Sequence, residues 1–347
     1  MDVRDFDFDL PSELIAQEPA AERSGARLML LGRDTGAISH HIVTALPDLL
    51  RPGDLLVVNN SRVFPARLLG RRVPSGGAVE CLLVARLDDD RWECLMHPGQ
   101  KLKPGATVVF EGARVMHGEV LERRFHGRRV IRLWTDDGSP VDEVVDAIGH
   151  VPLPPYIRRE DRREDRQRYQ TVFARDRGSV AAPTAGLHFG RELVAAILAR
   201  GVELAEITLH VGYGTFQPVR VERVEDHRVD AERYEVSIHA AASMARALDE
   251  GRRIVAVGTT TTRALETVAR EHGGRIVAAA GWTEAFIYPG FQFRVISGLM
   301  TNFHLPRSSL LMLVSAFAGT EHVLAAYRAA IAERYRFYSY GDAMLIL

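Results

Sequence analysis

Cysteine is scarce in this chain of 347 residues: only Cys81 and Cys94 occur, with no Cys-x-x-Cys spacing. That excludes a disulfide scaffold, and a chain this long buries enough core without staples. Lysine stands only at 101 and 103, so 42 of the 44 basic residues are arginine. A GC-rich genome produces such a bias, which therefore says little about phosphate binding. The net charge is −1 and hydrophobic residues make up 46%, as in a soluble globular chain. Any nucleic-acid surface must then be a local patch. No apolar run reaches the roughly 18 residues of a membrane span. The richest stretch, Leu305 to Ala318, is broken by Pro306, Arg307 and serines. The acidic opening Met1-Asp-Val-Arg-Asp-Phe lacks a signal-peptide pattern, so a reduced, cytoplasmic protein is expected.

Several chemical motifs are also missing. No Gly-Lys-Ser/Thr loop is present, which excludes a P-loop, and no Gly-x-Gly-x-x-Gly follows the first strand. There is no His-Glu-x-x-His and no Cys/His cluster with zinc spacing, so no metal is expected. Gly186-Leu-His-Phe-Gly190 has His where an esterase elbow needs Ser.

What is there reads as two textures. Leu28–Leu31 and Leu55–Val58 are short apolar runs, expected as buried strands. A short helical pattern around Thr44–Leu50 ends at Pro52-Gly53. From 66 to 150 the runs alternate: Ala78–Ala85, Arg91–Met96, Thr107–Phe110, Val115–Leu121 and Arg129–Trp134, separated by Gly and Asp clusters. That spacing predicts a small antiparallel barrel, with one helix at Val141–Ile148. Val151-Pro-Leu-Pro-Pro-Tyr156 reads as an extended linker, followed by the arginine-rich stretch Arg158–Arg168. That stretch is either a self-paired charged segment or an arm for phosphate. Beyond 170 strands and helices alternate: a helix after Gly190, then a strand on which Thr208 and His210 share one face. A helix at 241–250 leads to strand Ile254–Val257. Thr259–Thr262 is expected to cap a helix at Arg263–Arg270, and two more helices follow at Ser308–Phe317 and Glu321–Arg334. The fold class expected is α/β: a mixed sheet or open barrel with flanking helices, carrying an inserted antiparallel β-barrel. Residues 1–65 and 155–347 form the α/β domain and 66–154 the barrel.

Four turn-rich stretches in the second half carry polar, titratable groups. They are Val180–Phe189 with His188, Thr208–Phe216 with His210, Val257–Arg263, and Thr301–Pro306 with His304. Gly and Pro make sharp turns, and such turns display reactive groups on a scaffold. A shared catalytic pocket is expected there.

The ordered blocks Asn59–Arg67, Ser179–Phe189, Thr208–Val219, Ala256–Glu266, Phe286–Gly290, Thr301–Leu313 and Tyr335–Leu345 run over nearly the whole chain. In them the chain resembles the tRNA ribosyltransferase-isomerase family of queuosine synthesis. The resemblance implies an α/β domain with an inserted barrel. It also implies transfer of the ribosyl part of S-adenosylmethionine to the aminomethyl group of a 7-deazaguanine at the tRNA wobble position. Adenine and methionine leave and the sugar becomes an epoxycyclopentane. The implied partners are S-adenosylmethionine and the anticodon loop of GUN-type tRNA. No further cofactor, no membrane and a monomeric state are implied. Three positions depart from the family's usual pattern. In His227-Arg-Val-Asp230-Ala-Glu232, Asp230 replaces a His; Gly190 replaces a Thr; Ser297 replaces an acidic residue.

For that chemistry a base must take a C5′ proton made acidic by the sulfonium, and an acid must help adenine leave. His suits either role near neutrality. The catalytic candidates are His188, His210, His304 and Asp342. Thr184, Gly186, Thr259, Thr260, Arg263, Glu232 and Phe216 are candidates for substrate binding, with Phe189 and Tyr213 as further stacking aromatics. Arg62, Arg67 and Arg307 are candidates for tRNA phosphate, because Arg binds such groups bidentately. Other readings stay open. A non-catalytic tRNA-binding module would bind RNA without releasing adenine. A metal-assisted hydrolase with three His ligands would be sensitive to chelators. A methyltransferase would leave S-adenosylhomocysteine.

Overall fold

Leu55–Asn59 is buried at all five positions, as a central strand covered on both faces must be. Parallel neighbours flank it: Glu203–Leu209 on one side and Ile254–Val257 on the other. The computed structural model, which describes residues 1–216 and 219–347 (His126 and Phe216 by backbone alone), extends this into a mixed sheet of nine strands. Their order is Ala279–Thr283, Glu232–Val236, Glu203–Leu209, Leu55–Asn59, Ile254–Val257, Gly298–Asn302, Ala343–Ile346, Arg27–Leu31 and Ile38–Ile42. Helices cover both faces. Ile238–Asp249, Thr259–Glu271, Ser309–Ala318 and Thr320–Ala332 share one apolar core with the sheet. Leu46–Leu49 and Arg191–Ala199 pack on the other. Both strands read as buried, Leu28–Leu31 and Leu55–Val58, lie in this sheet. His40 and His41 sit on its edge strand Ile38–Ile42.

The alternating runs close into a six-stranded barrel in the order Arg128–Trp134, Arg91–His97, Ala78–Arg86, Arg67–Val73, Thr107–Glu111 and Val115–Arg123. Buried and outward positions alternate along Ala78–Arg86 and Arg91–His97, the period a barrel wall requires. Cys81 and Cys94 are buried free thiols in its core. The strand Arg67–Val73 has no counterpart among the alternating runs. Its Gly70 approaches the neighbouring strand so closely that a Cβ would lie 2.4 Å from the Val109 carbonyl oxygen.

Arg129 is fully buried here, and its guanidinium donates to the carbonyls of Gly99, Leu102 and Gly127. It closes a loop over one side of the barrel. Arg129→Met keeps the volume but leaves three acceptors without donors. The expected cost is about 2–3 kcal/mol, read as a lower urea midpoint; an unchanged midpoint would mean water replaces the guanidinium.

The stretch Arg158–Arg168 is tied down mostly by groups outside itself, with one ion pair inside it. Arg159 holds the buried Asp165 at 2.7 and 2.9 Å, and Arg166 and Arg168 donate to backbone carbonyls. Only Asp165–Arg168 is helical. The threonine run also differs from expectation. Helix Thr259–Glu271 includes it, with Gly258 as the N-cap. Thr261 and Thr262 are fully buried and turn their hydroxyls back to the carbonyls of Val257 and Gly258. Burial thus overrides the capping tendency of threonine. No single described helix is long and apolar enough to cross a membrane. The apolar helices Ser309–Ala318 and Thr320–Ala332 meet at 116°; the first is mostly buried in the sheet's core, and the second buries one face there.

Candidate active site

Parallel strands place their carboxyl ends on one edge of a sheet, where the following loops form a crevice. Here that crevice is a cavity of about 320 Å³. Val211 lies just beyond strand Glu203–Leu209. Gly258, Thr259 and Thr260 follow Ile254–Val257, and Thr301, Asn302 and His304 close Gly298–Asn302. Ala181–Ala185 form a further wall, and Pro155 and Tyr156 reach in from the linker. Gly258 has φ 95°, a left-handed backbone that Gly adopts without strain. Beyond it, the first N–H groups of helix Thr259–Glu271 lack helical partners and face the cavity, a setting that favours anionic or oxygen-rich groups.

Two more wall residues carry positive φ without being Gly: Arg307 at 55° and Tyr338 at 75°. Such backbones cost on the order of 1–2 kcal/mol each and cluster at functional sites. Tyr338 packs its ring against Tyr156 with centroids 3.8 Å apart, and the Tyr156 hydroxyl bonds Ser339. Burial pushes both phenols up, so each keeps its proton near neutrality.

The three candidate histidines do not meet. His304 alone lines the cavity. Its Nε2 is 2.8 Å from Thr301 Oγ1, and its backbone N–H donates to the Tyr327 hydroxyl. Burial lowers its pKa to about 3, so it is neutral at pH 7. His188 lies behind the wall, where Asn302 Nδ2 donates to its Nε2 at 3.0 Å. Burial, then nearby Arg336 and Arg23, lower its pKa to about 4. Asn302 Nδ2 also donates to Tyr338 O, and its Oδ1 is buried without a partner among the described residues. His210 packs against Gly178, where a Cβ would come within 2.7 Å of Nδ1, and its pKa is lowered by burial and Arg233. It does not border the cavity. Among the described residues no group of His, Cys, Asp or Glu could hold a metal ion.

Asp342 is buried away from the cavity, accepting from the N–H groups of Arg27 and Arg336. Thr184, Thr259 and Thr260 line the cavity. Gly186 is buried against Thr171 outside it. Glu232 and Arg263 form a buried ion pair in an adjoining lobe. The Phe216 side chain lies outside the described residues. Phe189 is fully buried in the core against Phe173, 5.5 Å between centroids, and is not free to stack on a base.

Of the three arginines read for tRNA, Arg307 lines the cavity and pairs with Asp7 at 3.1 Å. Arg67 pairs with Glu80 at 2.8 Å, in a groove of about 650 Å³. That groove runs between the barrel and Leu153–Asp161 and shares Pro155 with the cavity. Arg62 is exposed on strand Ser61–Val63.

The whole chain is matched by known sequences. Residues 3–346 fit the family described as queuosine biosynthesis protein. The chain belongs to the queuosine biosynthesis protein family. Within that family, a relative from Desulfitobacterium hafniense, named S-adenosylmethionine:tRNA ribosyltransferase-isomerase, is 52% identical over the full length of both chains. One of the same name from Heliobacterium modesticaldum is 51% identical, again over the full length of both. A crystal structure of S-adenosylmethionine tRNA ribosyltransferase from Thermotoga maritima is 40% identical. It covers 99% of this chain and 100% of its own, with a TM-score of 0.57. The α/β architecture with a β-barrel is therefore that of a queuosine biosynthesis protein.

Asn302, Tyr156 and Tyr338 were not singled out from sequence as site residues. The signal for Asn302 was present, since it sits two residues before His304. The three departures from the family pattern stay off the wall of the main cavity, and Asp230 borders the adjoining lobe. Asp230 pairs with Arg128 of the barrel, Gly190 caps helix Arg191–Ala199, and the Ser297 hydroxyl accepts from the Ile254 N–H at 2.9 Å.

Proposed function

We propose that this chain moves the ribosyl part of S-adenosylmethionine onto 7-aminomethyl-7-deazaguanine at the wobble position of tRNA. It isomerises the sugar to give epoxyqueuosine-tRNA and releases adenine and methionine. One observation carries the reading: a cavity at the carboxyl ends of parallel strands, in a chain about half identical, end to end, to enzymes named for this reaction. Residues 66–154 act in it as a barrel domain beside the entrance.

His304 is the base of this proposal. It is neutral, and with its Nε2–H donated to Thr301 its Nδ1 is left to take the C5′ proton. His188 acts through Asn302, fixing an amide whose unpartnered Oδ1 can accept from a ribose hydroxyl. Thr184, Thr259 and Thr260 supply hydroxyls, and Tyr156 and Tyr338 keep hydroxyl donors near the leaving adenine. His188→Gln retains an acceptor for Asn302, so most turnover is expected to survive it, whereas His188→Leu loses about tenfold or more. Equal losses in both variants would remove His188 from this role.

The anticodon loop enters along the groove that holds Arg67. A loop base is unpaired, so drawing it into the cavity costs a few kcal/mol at most. Arg62, Arg67 and Arg307 contact phosphate, and the chain acts as a monomer. kcat/KM for tRNA is accordingly expected to fall steeply with salt; a flat salt profile would remove phosphate contacts from the account. The reaction itself is tested with S-adenosylmethionine and an anticodon stem-loop carrying the aminomethyl base. Free adenine together with a ribosyl-derived mass gain on the RNA is the expected result. S-adenosylhomocysteine in place of adenine would make the chain a methyltransferase.

A further inference from the structure

Beside the main cavity lies a smaller lobe that includes Gly214, Asp230, Glu232, Arg263, Ser309 and Leu313. It shares Thr215 and Leu310 with the cavity, so the two are contiguous. Its free volume is about 20 Å³, room for roughly one water molecule or one carboxylate and too little for a ribose or a base.

The polar groups in the lobe are not evenly satisfied. Glu232 is saturated: Oε1 accepts from the Gly212 N–H at 2.9 Å and the Thr215 hydroxyl at 3.0 Å, and Oε2 from Arg263 Nη1. Arg263 also donates its Nε to Ala285 O, yet Nη2 is buried and has no partner among the described residues. The Arg263 side chain is only 9% exposed, so that donor cannot turn to bulk solvent. A buried, unpaired guanidinium donor calls for an acceptor. The ten-residue helix Ser309–Ala318 starts at the same lobe. Its Ser308 cap satisfies the Leu311 N–H, while the N–H groups before it have no partner within the helix and carry its positive end. At the rim Asp230 Oδ2 accepts from Arg128 Nη2 of the barrel. With Glu232 and Asp230 each matched by an arginine, the lobe suits a zwitterion.

We infer that this lobe seats the α-carboxylate of the amino-acid head of S-adenosylmethionine, with the ammonium at its rim. The α-carboxylate takes Arg263 Nη2 and the first N–H groups of helix Ser309–Ala318, and the ammonium faces Asp230. The short methylene stem passes Thr215 and Leu310 and leaves the sulfonium and ribose in the main cavity with His304. The inference rests on the proposed reaction and adds where the leaving methionine is gripped.

Binding to the full-length protein tests it, alone and with a stem-loop carrying unreactive guanine at the wobble position. Decarboxylated S-adenosylmethionine keeps the adenosine, sulfonium and ammonium and lacks only the carboxylate. It is expected to bind at least about tenfold more weakly than S-adenosylmethionine. Ser309→Leu, which fills the lobe, is expected to weaken S-adenosylmethionine and free methionine by a similar factor. It should leave 5′-methylthioadenosine, which has no amino-acid head, within about twofold. Equal affinities of wild-type protein for S-adenosylmethionine and its decarboxylated form would overturn the assignment and leave the lobe holding water only. If neither nucleoside binds under either condition, the proposed reaction fails, and the lobe's role with it.

Discussion

His304→Gln is expected to lower kcat for adenine release by about 10²–10⁴, with little change in KM for S-adenosylmethionine. Gln preserves a hydrogen bond to Thr301 and most of the volume, so the fold is retained. What it loses is a nitrogen able to take a proton. Because burial holds His304 near pKa 3, the residue does not titrate across neutrality. The wild-type rate should therefore show no limb assignable to His304 between about pH 6 and 8. A variant with near-wild-type kcat would hand the base role to another group.

The second large effect concerns stability in acid. His188 and His304 titrate near 4 and 3 when folded, against an ordinary value of 6.5. Their folded pKa values are depressed, so the unfolded chain binds more protons than the folded one below pH 6.5. The stability they contribute is complete above that pH and drains away as pH falls toward 4. Two pH units at about 1.4 kcal/mol each, for two groups, give an upper figure of about 6 kcal/mol between pH 6.5 and 4.5. Urea midpoints at pH 7 and 4.5 measure it. The His188→Gln/His304→Gln variant should lose most of the imidazole part of that difference and keep the part due to carboxylates. An unchanged difference would mean that neither imidazole is neutral by burial.

Legibility from sequence followed the strength of local pattern. Helix Val141–Ile148 is found at its expected limits, and five of the barrel strands coincide with alternating runs. Strand Arg67–Val73 was invisible because Gly70 is the residue that lets the neighbouring strand approach, and Gly carries no hydrophobic signal. The threonine run looked like a cap because its burial comes from distant segments. The loops around the cavity were found through Gly, Pro and His, yet their sequence could not say which His faces inward. His188 and His210 are turned away by packing against Asn302 and Gly178, contacts more than a hundred residues away for His188 and about thirty for His210. Tyr338 stands out only through its backbone angle, which leaves no trace in composition.

The position of strand Ala343–Ile346 governs how the chain comes together. It lies inside the sheet, antiparallel to Gly298–Asn302 and parallel to Arg27–Leu31. The hairpin Arg27–Ile42 is thus made early on the ribosome and must wait about 300 residues for the strand that joins it to the rest. Until then that hairpin edge and the flank of Gly298–Asn302 stay open to wrong pairing. Tyr338 and Ser339 arrive just ahead of the joining strand, so the cavity wall is completed by the same late step that seals the sheet. A nascent chain released before residue 343 would carry His304 but neither a closed sheet nor a stable grip on its substrate.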